Sequence, residues 1–462
     1  MRHRSRLVNV LERAETGPVM EESDFERRLV SPTMKRLVAD HDIVFDGSSL
    51  VPSDDDLADR VFEAGVQFAT EVGMLCQDTN RRITFSRKEL EEGLRFCPSE
   101  VTLGLGNDAV VAKPRKPEDD GRVVLVGGAY GVVFPEHLFV PAMLSFAQES
   151  VVDVIENATL ETAYGHPIKA GSPWEILGGW REAELSMEVI SRAGRPGMSI
   201  GCVETSPTAL AEISASSWGG FRPSDWHHVS TLSEFKTNYD QLSKVAHTAR
   251  IGGVMECYAN PIFGGYVGGA EGVAVACVAA SILMNQITMA HTIATRPDHP
   301  FLGCNTTPEL LWAMSINTQA LARNTDLLIG SLVGPVGGPG TKTVLYELAA
   351  FATSLTASGA TLLEASHTAG GAVPRHVSGL EAKICGEVAR ATGGMNRSEA
   401  DGLVKNLLAK YEPDLETKPI GKPFEEVYDI DTVQPTEEWQ GTYDEVRGEL
   451  IEWGLPLDRI TR

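Results

Sequence analysis

The chain has 462 residues, 42% of them apolar and 45 of them glycine, with 63 acidic against 40 basic side chains for a formal net charge of −23. Such acidity excludes a phosphate-backbone binder, which needs clustered Lys and Arg, so no nucleic-acid partner is expected. The apolar fraction excludes a disordered chain, and seven cysteines without a CxxC pair suit a reducing cytoplasm with no disulfide framework.

The basic amino terminus is not followed by an apolar run, so no signal peptide is read there. Residues 1–115 are charged and helical in pattern, with apolar positions at helical spacing over 54–72. They are expected to form an extension packing on the main domain. The Pro-rich, charged stretch 113–120 marks the boundary. From residue 122 short β-branched runs alternate with longer amphipathic segments. Strands are predicted at 123–126, 152–155, 198–202, 211–216, 251–257, 287–290, 326–329 and 361–365. Helices are predicted at 138–150, 174–194, 232–248, 269–285, 307–323, 342–358 and 377–392. The third connection, 204–209, is too short for a helix. The longest apolar stretch, 272–284, is too short to span a bilayer, and a cytoplasmic protein without a membrane partner is expected.

Eight strands with crossovers over 116–393 give the count of a (β/α)8 barrel. An open doubly wound sheet is the alternative, but no GxGxxG fingerprint opens a helix after a strand. Residues 394–462 read as a helical tail wrapping the barrel.

In a barrel, chemistry collects where the strands' carboxyl ends meet their loops. The residues placed there are Glu204 after the third strand and Asp225, His227 and His228 in the fourth loop. Glu256, Tyr258 and Asn260 come from the fifth strand, His291 from the sixth and His367 from the eighth. The Gly-rich run 334–340, Gly337 and Gly338 within it, suits close approach of a flat cofactor or simply makes turns. Strand alternation sets Glu256, Tyr258 and Asn260 on one face and Cys257 on the other. Only one of His227 and His228 can face a ligand. Cys202, Cys257, Glu256 and His228 are conceivable zinc ligands, but alternation separates them, and no metal site is expected.

Several segments together resemble the monomethylamine methyltransferase family. They are Ala-Gly-Arg-Pro-Gly-Met at 193–198, Val-Glu-Thr-Ser at 203–206, Asn-Pro-Ile-Phe-Gly-Gly-Tyr at 260–266, Gly-Glu-Val-Ala-Arg-Ala-Thr at 386–392 and Val-Gln-Pro-Thr-Glu-Glu at 433–438. The resemblance covers nearly the whole chain. It implies a homo-oligomeric barrel enzyme that passes a methyl group from an amine to the Co(I) corrinoid carried by a separate partner protein. The family's signature, pyrrolysine after the third strand, falls at Gly201 here. Glu204 matches a family glutamate. His228, Tyr258 and Leu332 stand where the family has acidic residues and an amide.

A pyrrolysine-free enzyme with an enlarged cup is therefore expected, acting on an N-methyl donor bulkier than methylamine, a quaternary ammonium among the candidates. Glu204 and Glu256 would balance charge and Tyr258 would offer a cation–π face. Protonated His228 would act as general acid. Asn260, Leu332 and Gly201 would line the substrate, and Gly337 and Gly338 the cofactor. The alternatives are a non-catalytic small-ligand binder and a zinc-dependent enzyme using an O- or S-methyl donor.

Overall fold

The computed structural model describes residues 2–201, 203–205 and 208–460. Its centre is an eight-stranded parallel sheet: β1 (Val124–Gly128), β2 (Val154–Glu156), β3 (Ser199–Ile200), β4 (Trp226–Ser230), β5 (Val254–Ala259), β6 (Thr292–Thr295), β7 (Leu328–Leu332) and β8 (Leu362–Ala365). The strand order is β3-β2-β1-β8-β7-β6-β5-β4, with every neighbouring pair parallel. This is the (β/α)8 barrel expected. The seam between β3 and β4 carries no backbone ladder among the described residues. There the Asp225 carboxylate accepts from the Ile200 N–H at 3.2 Å.

Alternation along each strand builds two layers. Val124, Val126, Val154, Trp226, Val254, Tyr258, Leu328, Leu332 and Leu362 pack together inside the barrel. Their neighbours Leu125 and Ile155, and Met255, Cys257, Ile293 and Ile329, join the outer cores beneath the helices. Strands buried on both faces read as continuous apolar runs, as covered parallel sheets do.

Two predicted strands are corrected. Residues 211–215 lie in a helix, Ala209–Ala215, with Ser216 as its C-cap, and its N-cap Thr208 accepts from Leu210 N–H. Its Ala-rich sequence favours that state. The fourth strand is instead Trp226–Ser230, with Trp226 and His228 inward and His227 outward. The third connection thus does contain a helix. Residues 287 and 288 end the helix Ala270–Thr288, Met289 turns left-handed at φ 59°, and β6 starts only at Thr292. That helix is long and apolar enough to cross a membrane, and 94% of it is buried inside the protein. It packs beneath the helix Asp55–Val72 of the amino-terminal extension.

The extension is not wholly helical. A hairpin, Val101–Leu103 with Val110–Ala112, inserts its apolar side chains among the inward residues at the barrel's amino-terminal end. Its tip is pinned by Gly104 N–H to Ser224 O and Leu105 N–H to Gly197 O. The boundary stretch lies flat on the barrel, its buried Arg115 donating to the Thr356 and Ala360 carbonyls. After residue 393, the helices Arg397–Tyr411 and Glu437–Glu452 pack on the helix Lys342–Ser358.

Candidate active site

The inward positions change from apolar to ionisable toward the carboxyl ends of the strands. Glu156 ends β2, His228 sits in β4, Glu256 and Tyr258 in β5, Leu332 ends β7, and Glu364 sits in β8. Tyr130 follows β1, Glu204 follows β3, and Arg296 follows β6. Glu156 and Glu256 have no exposed surface and Glu364 is only 2% exposed. Among the described residues, four glutamates thus share one lumen with Arg296, whose guanidinium is held by Asp298 at 3.0 Å.

His228 Nδ1 lies 3.3 Å from Glu256 Oε2, and its Nε2 lies 2.9 Å from the Ser230 hydroxyl. The His228 and Tyr258 rings are 5.4 Å apart and tilted. Burial pushes the Glu256 carboxyl well above its ordinary range, and the neighbouring Glu364 adds to the shift. Burial pushes Glu364 up to about 8. The same burial lowers His228 to about 3. The expectation of a protonated His228 is therefore corrected: the imidazole is neutral and the held proton sits on the carboxyl pair.

Gly201 does not open a cup. A Cβ there would lie 1.7 Å from Glu156 Oε2 and 2.9 Å from the Ile155 carbonyl oxygen, so the Glu156 carboxylate fills that space. Gly131 makes room for Glu204 in the same way, its would-be Cβ 2.8 Å from Glu204 Oε2. The Glu204 loop is braced from behind by buried Glu182, which accepts from the Glu204 and Thr205 N–H groups at 3.0 Å each. Glu156, Glu204 and His228 each offer one ligand atom, all within 4.8 Å of one another.

A family model described as monomethylamine methyltransferase MtmB matches residues 6–455. The chain belongs to the monomethylamine methyltransferase family. It is a methyltransferase. Relatives from Methanosarcina acetivorans and Methanosarcina mazei, each named as a monomethylamine methyltransferase, are 34% identical over 444 residues, covering 96% of this chain and 97% of theirs. The crystal structure of the Methanosarcina barkeri monomethylamine methyltransferase superposes with a TM-score of 0.94 at 33% identity, over 97% of this chain and 98% of that one. A structure of a hydroxylamine complex of that family superposes equally well.

In this methyltransferase, the structure brings His228, Glu204, Glu256, Tyr258 and Leu332 to one lumen. Asn260 stands at its edge, with Nδ2 3.5 Å from the Tyr258 hydroxyl and 3.3 Å from Asp298. Cys257 faces outward as alternation required, buried in the layer of helices, and Cys202 lies outside the described residues. His227 also faces outward, hydrogen-bonded to Glu212 at 2.8 Å.

Asp225 and His291, expected at the rim, lie instead before their strands, whereas His367 does follow the carboxyl end of β8. Asp225 precedes β4 and pairs with Arg222 at 2.7 Å. His291 precedes β6, where its Nδ1 accepts from Met255 N–H at 3.0 Å. His367 is buried after β8 and held neutral by burial, with Arg296 adding to the effect. Gly337 and Gly338 are corrected as cofactor contacts. Gly337 N–H donates to Glu347 and Gly338 N–H to the Pro419 carbonyl. A Cβ on Gly338 would sit 1.8 Å from the Ile420 oxygen. The close approach is made by the chain's own tail.

Sequence reasoning passed over Glu156, Glu364, Tyr130 and Arg296. Glu156 was one residue beyond a predicted strand. Glu364 was inside one, two residues after inward Leu362, so alternation alone would have turned it inward.

Proposed function

We propose that this methyltransferase moves a methyl group from a small N-methylated amine, quaternary ammonium compounds included, to the Co(I) corrinoid of a separate partner protein, and does so without pyrrolysine. The observation that supports a cationic or proton-sharing nitrogen substrate is the lumen itself, where Glu156, Glu204, Glu256 and Glu364 face one another beside the Tyr130 and Tyr258 rings. Water-excluded carboxyl groups at that density favour a positive guest. An aromatic face adds about 0.5–2 kcal/mol toward a cationic nitrogen.

The corrinoid, when docked, supplies the nucleophile for the methyl carbon. The chain's residues do the rest. Tyr258 and Leu332 bound the space beside the nitrogen, and Asn260 orients the Tyr258 hydroxyl. The Glu256–Glu364 pair holds a proton within reach of His228. Glu204, fixed by Glu182, balances charge. The filled space at Gly201 argues for a compact donor over a bulky one.

The test mixes the protein with its reduced corrinoid partner and, one at a time, methylamines, tetramethylammonium, betaines, methanol and a thioether. Loss of the Co(I) absorption with an N-methyl donor is the expected result. Loss only with methanol or the thioether would overturn the substrate class. No loss with any donor would favour a non-catalytic binder.

A further inference from the structure

We infer that Glu156, Glu204 and His228 form a divalent transition-metal site, best matched to zinc, at the place a side chain on residue 201 would otherwise occupy. Three observations carry the inference. The first is the convergence of one oxygen from Glu156, one from Glu204 and one nitrogen from His228 within 4.8 Å of one another. Around a tetrahedral ion with bonds of about 2.1 Å, ligand atoms stand roughly 3.4 Å apart. Small side-chain adjustments therefore close the set. The second is the provenance of the ligands: the end of β2, the loop after β3, and β4. Three protein ligands with one position open to the lumen is the arrangement of catalytic zinc.

The third observation is independent of the cluster. Glu256 is fully buried, neither of its oxygens has a hydrogen-bond donor of good geometry among the described residues, and it stands 3.3 Å from His228 Nδ1. A carboxyl on one imidazole nitrogen with a metal on the other is the usual second support of a metal-binding histidine. His228 Nε2, now beside the Ser230 hydroxyl, is the nitrogen left for the ion. Among the described residues the donor set is nitrogen and oxygen, since Cys257 points away.

The site's role rests on the proposed methyl transfer. A neutral amine is a poor leaving group. Its lone pair on the ion gives the nitrogen a fourth bond, the condition a quaternary donor already meets. The acceptor's Co(I) electron pair then forms the new bond to the methyl carbon. The carbon–nitrogen pair stays on the departing nitrogen, which takes a proton from water and leaves as the free amine, the hydroxide passing to solvent.

The experiment reads metal before activity. Protein purified without chelator should carry about one equivalent of zinc per chain, and the chelated protein should rebind Zn²⁺ at about one equivalent by calorimetry. Glu156→Gln and His228→Ala should each weaken Zn²⁺ binding by roughly 100-fold or more. Glu364→Gln, in the same lumen but outside the ligand set, should keep full stoichiometry. Zn²⁺ should raise the melting temperature of the chelated wild type and of Glu364→Gln, but not of the two ligand variants. Absence of stoichiometric binding, or equal loss in Glu364→Gln, overturns the site while leaving the methyl transfer standing. Stoichiometric zinc with no corrinoid methylation from any donor does the reverse. Chelation should abolish turnover of neutral amines and spare quaternary donors; equal loss or no loss for both overturns the assigned role.

Discussion

Gly201→Ala is the perturbation that bears most directly on the candidate site. The added carbon would meet Glu156 Oε2 at 1.7 Å and Cδ at 2.7 Å, where ordinary contact begins near 3.4 Å. The carboxylate would therefore have to retreat by the difference, 1.7 Å, and it is fully buried, with no solvent to retreat into. The Ile155 carbonyl oxygen, 2.9 Å away, is backbone and yields little. Overpacking of this kind costs about 1–3 kcal/mol. With Glu156→Ala as background, the two closest atoms are gone and the Ile155 oxygen at 2.9 Å is the nearest contact left. The same substitution should then cost under about 1 kcal/mol, leaving a coupling of about 1–2 kcal/mol between the sites. Urea midpoints of the wild type, both single variants and the double variant measure it. A 2 kcal/mol change in so long a chain moves the melting temperature by only about 2 °C, so the denaturant series is the better reading. Costs that add to within about 0.5 kcal/mol would refute the argument. Position 201 would then open on empty space, and the enlarged cup would be restored.

Stability should fall as pH rises. Burial lifts Glu182, Glu364 and Glu381 to about 8, so the folded chain keeps protons that the unfolded chain releases. Their contribution is complete below the ordinary carboxylate range and is lost as pH climbs through about 8. The unfolding free energy from urea titrations at pH 6 to 8.5 should decline by at most about 1.4 kcal/mol per pH unit per carboxyl, and a flat profile contradicts the burial argument. The rate of methyl transfer should show no limb near pH 6.5, since His228 is neutral there, and should drop above pH 8 as the carboxyl pair loses its proton. A limb near 6.5 that vanishes in His228→Gln would return the acid role to the imidazole. Gly338→Ala should destabilise by about 1–3 kcal/mol and speed amide exchange over residues 420–422, because its Cβ would press on the Ile420 oxygen; unchanged exchange would mean the tail is not seated there.

Much of the barrel could be read from residues alone because alternation and punctuation are local. β1, β2, β3, β5, β7 and β8 fall within a few residues of their predicted positions. β4 escaped because Trp-His-His-Val-Ser looks like a polar loop unless its neighbours are known to bury both faces. Ile287 misled because an apolar helix end and a short apolar strand have the same composition. In the site, alternation sorted Glu256 and Tyr258 from Cys257 correctly. What it could not say is which atoms fill the space facing Gly201, since Glu156 reaches it from another strand. Nor could it foresee that the Gly337–Gly338 backbone is covered by residues some eighty positions later. The protonation of His228 was equally hidden, because desolvation is set by the whole surround.

The hairpin stoppering the amino-terminal end of the barrel leaves the doorway to its interior at the carboxyl ends of the strands. Whatever accepts the methyl group must stand in the doorway through which the spent donor leaves. Traffic is therefore compelled to queue: donor in, acceptor over the threshold, acceptor away, product out last. In steady-state inhibition patterns the demethylated amine should compete with the donor and not with the acceptor.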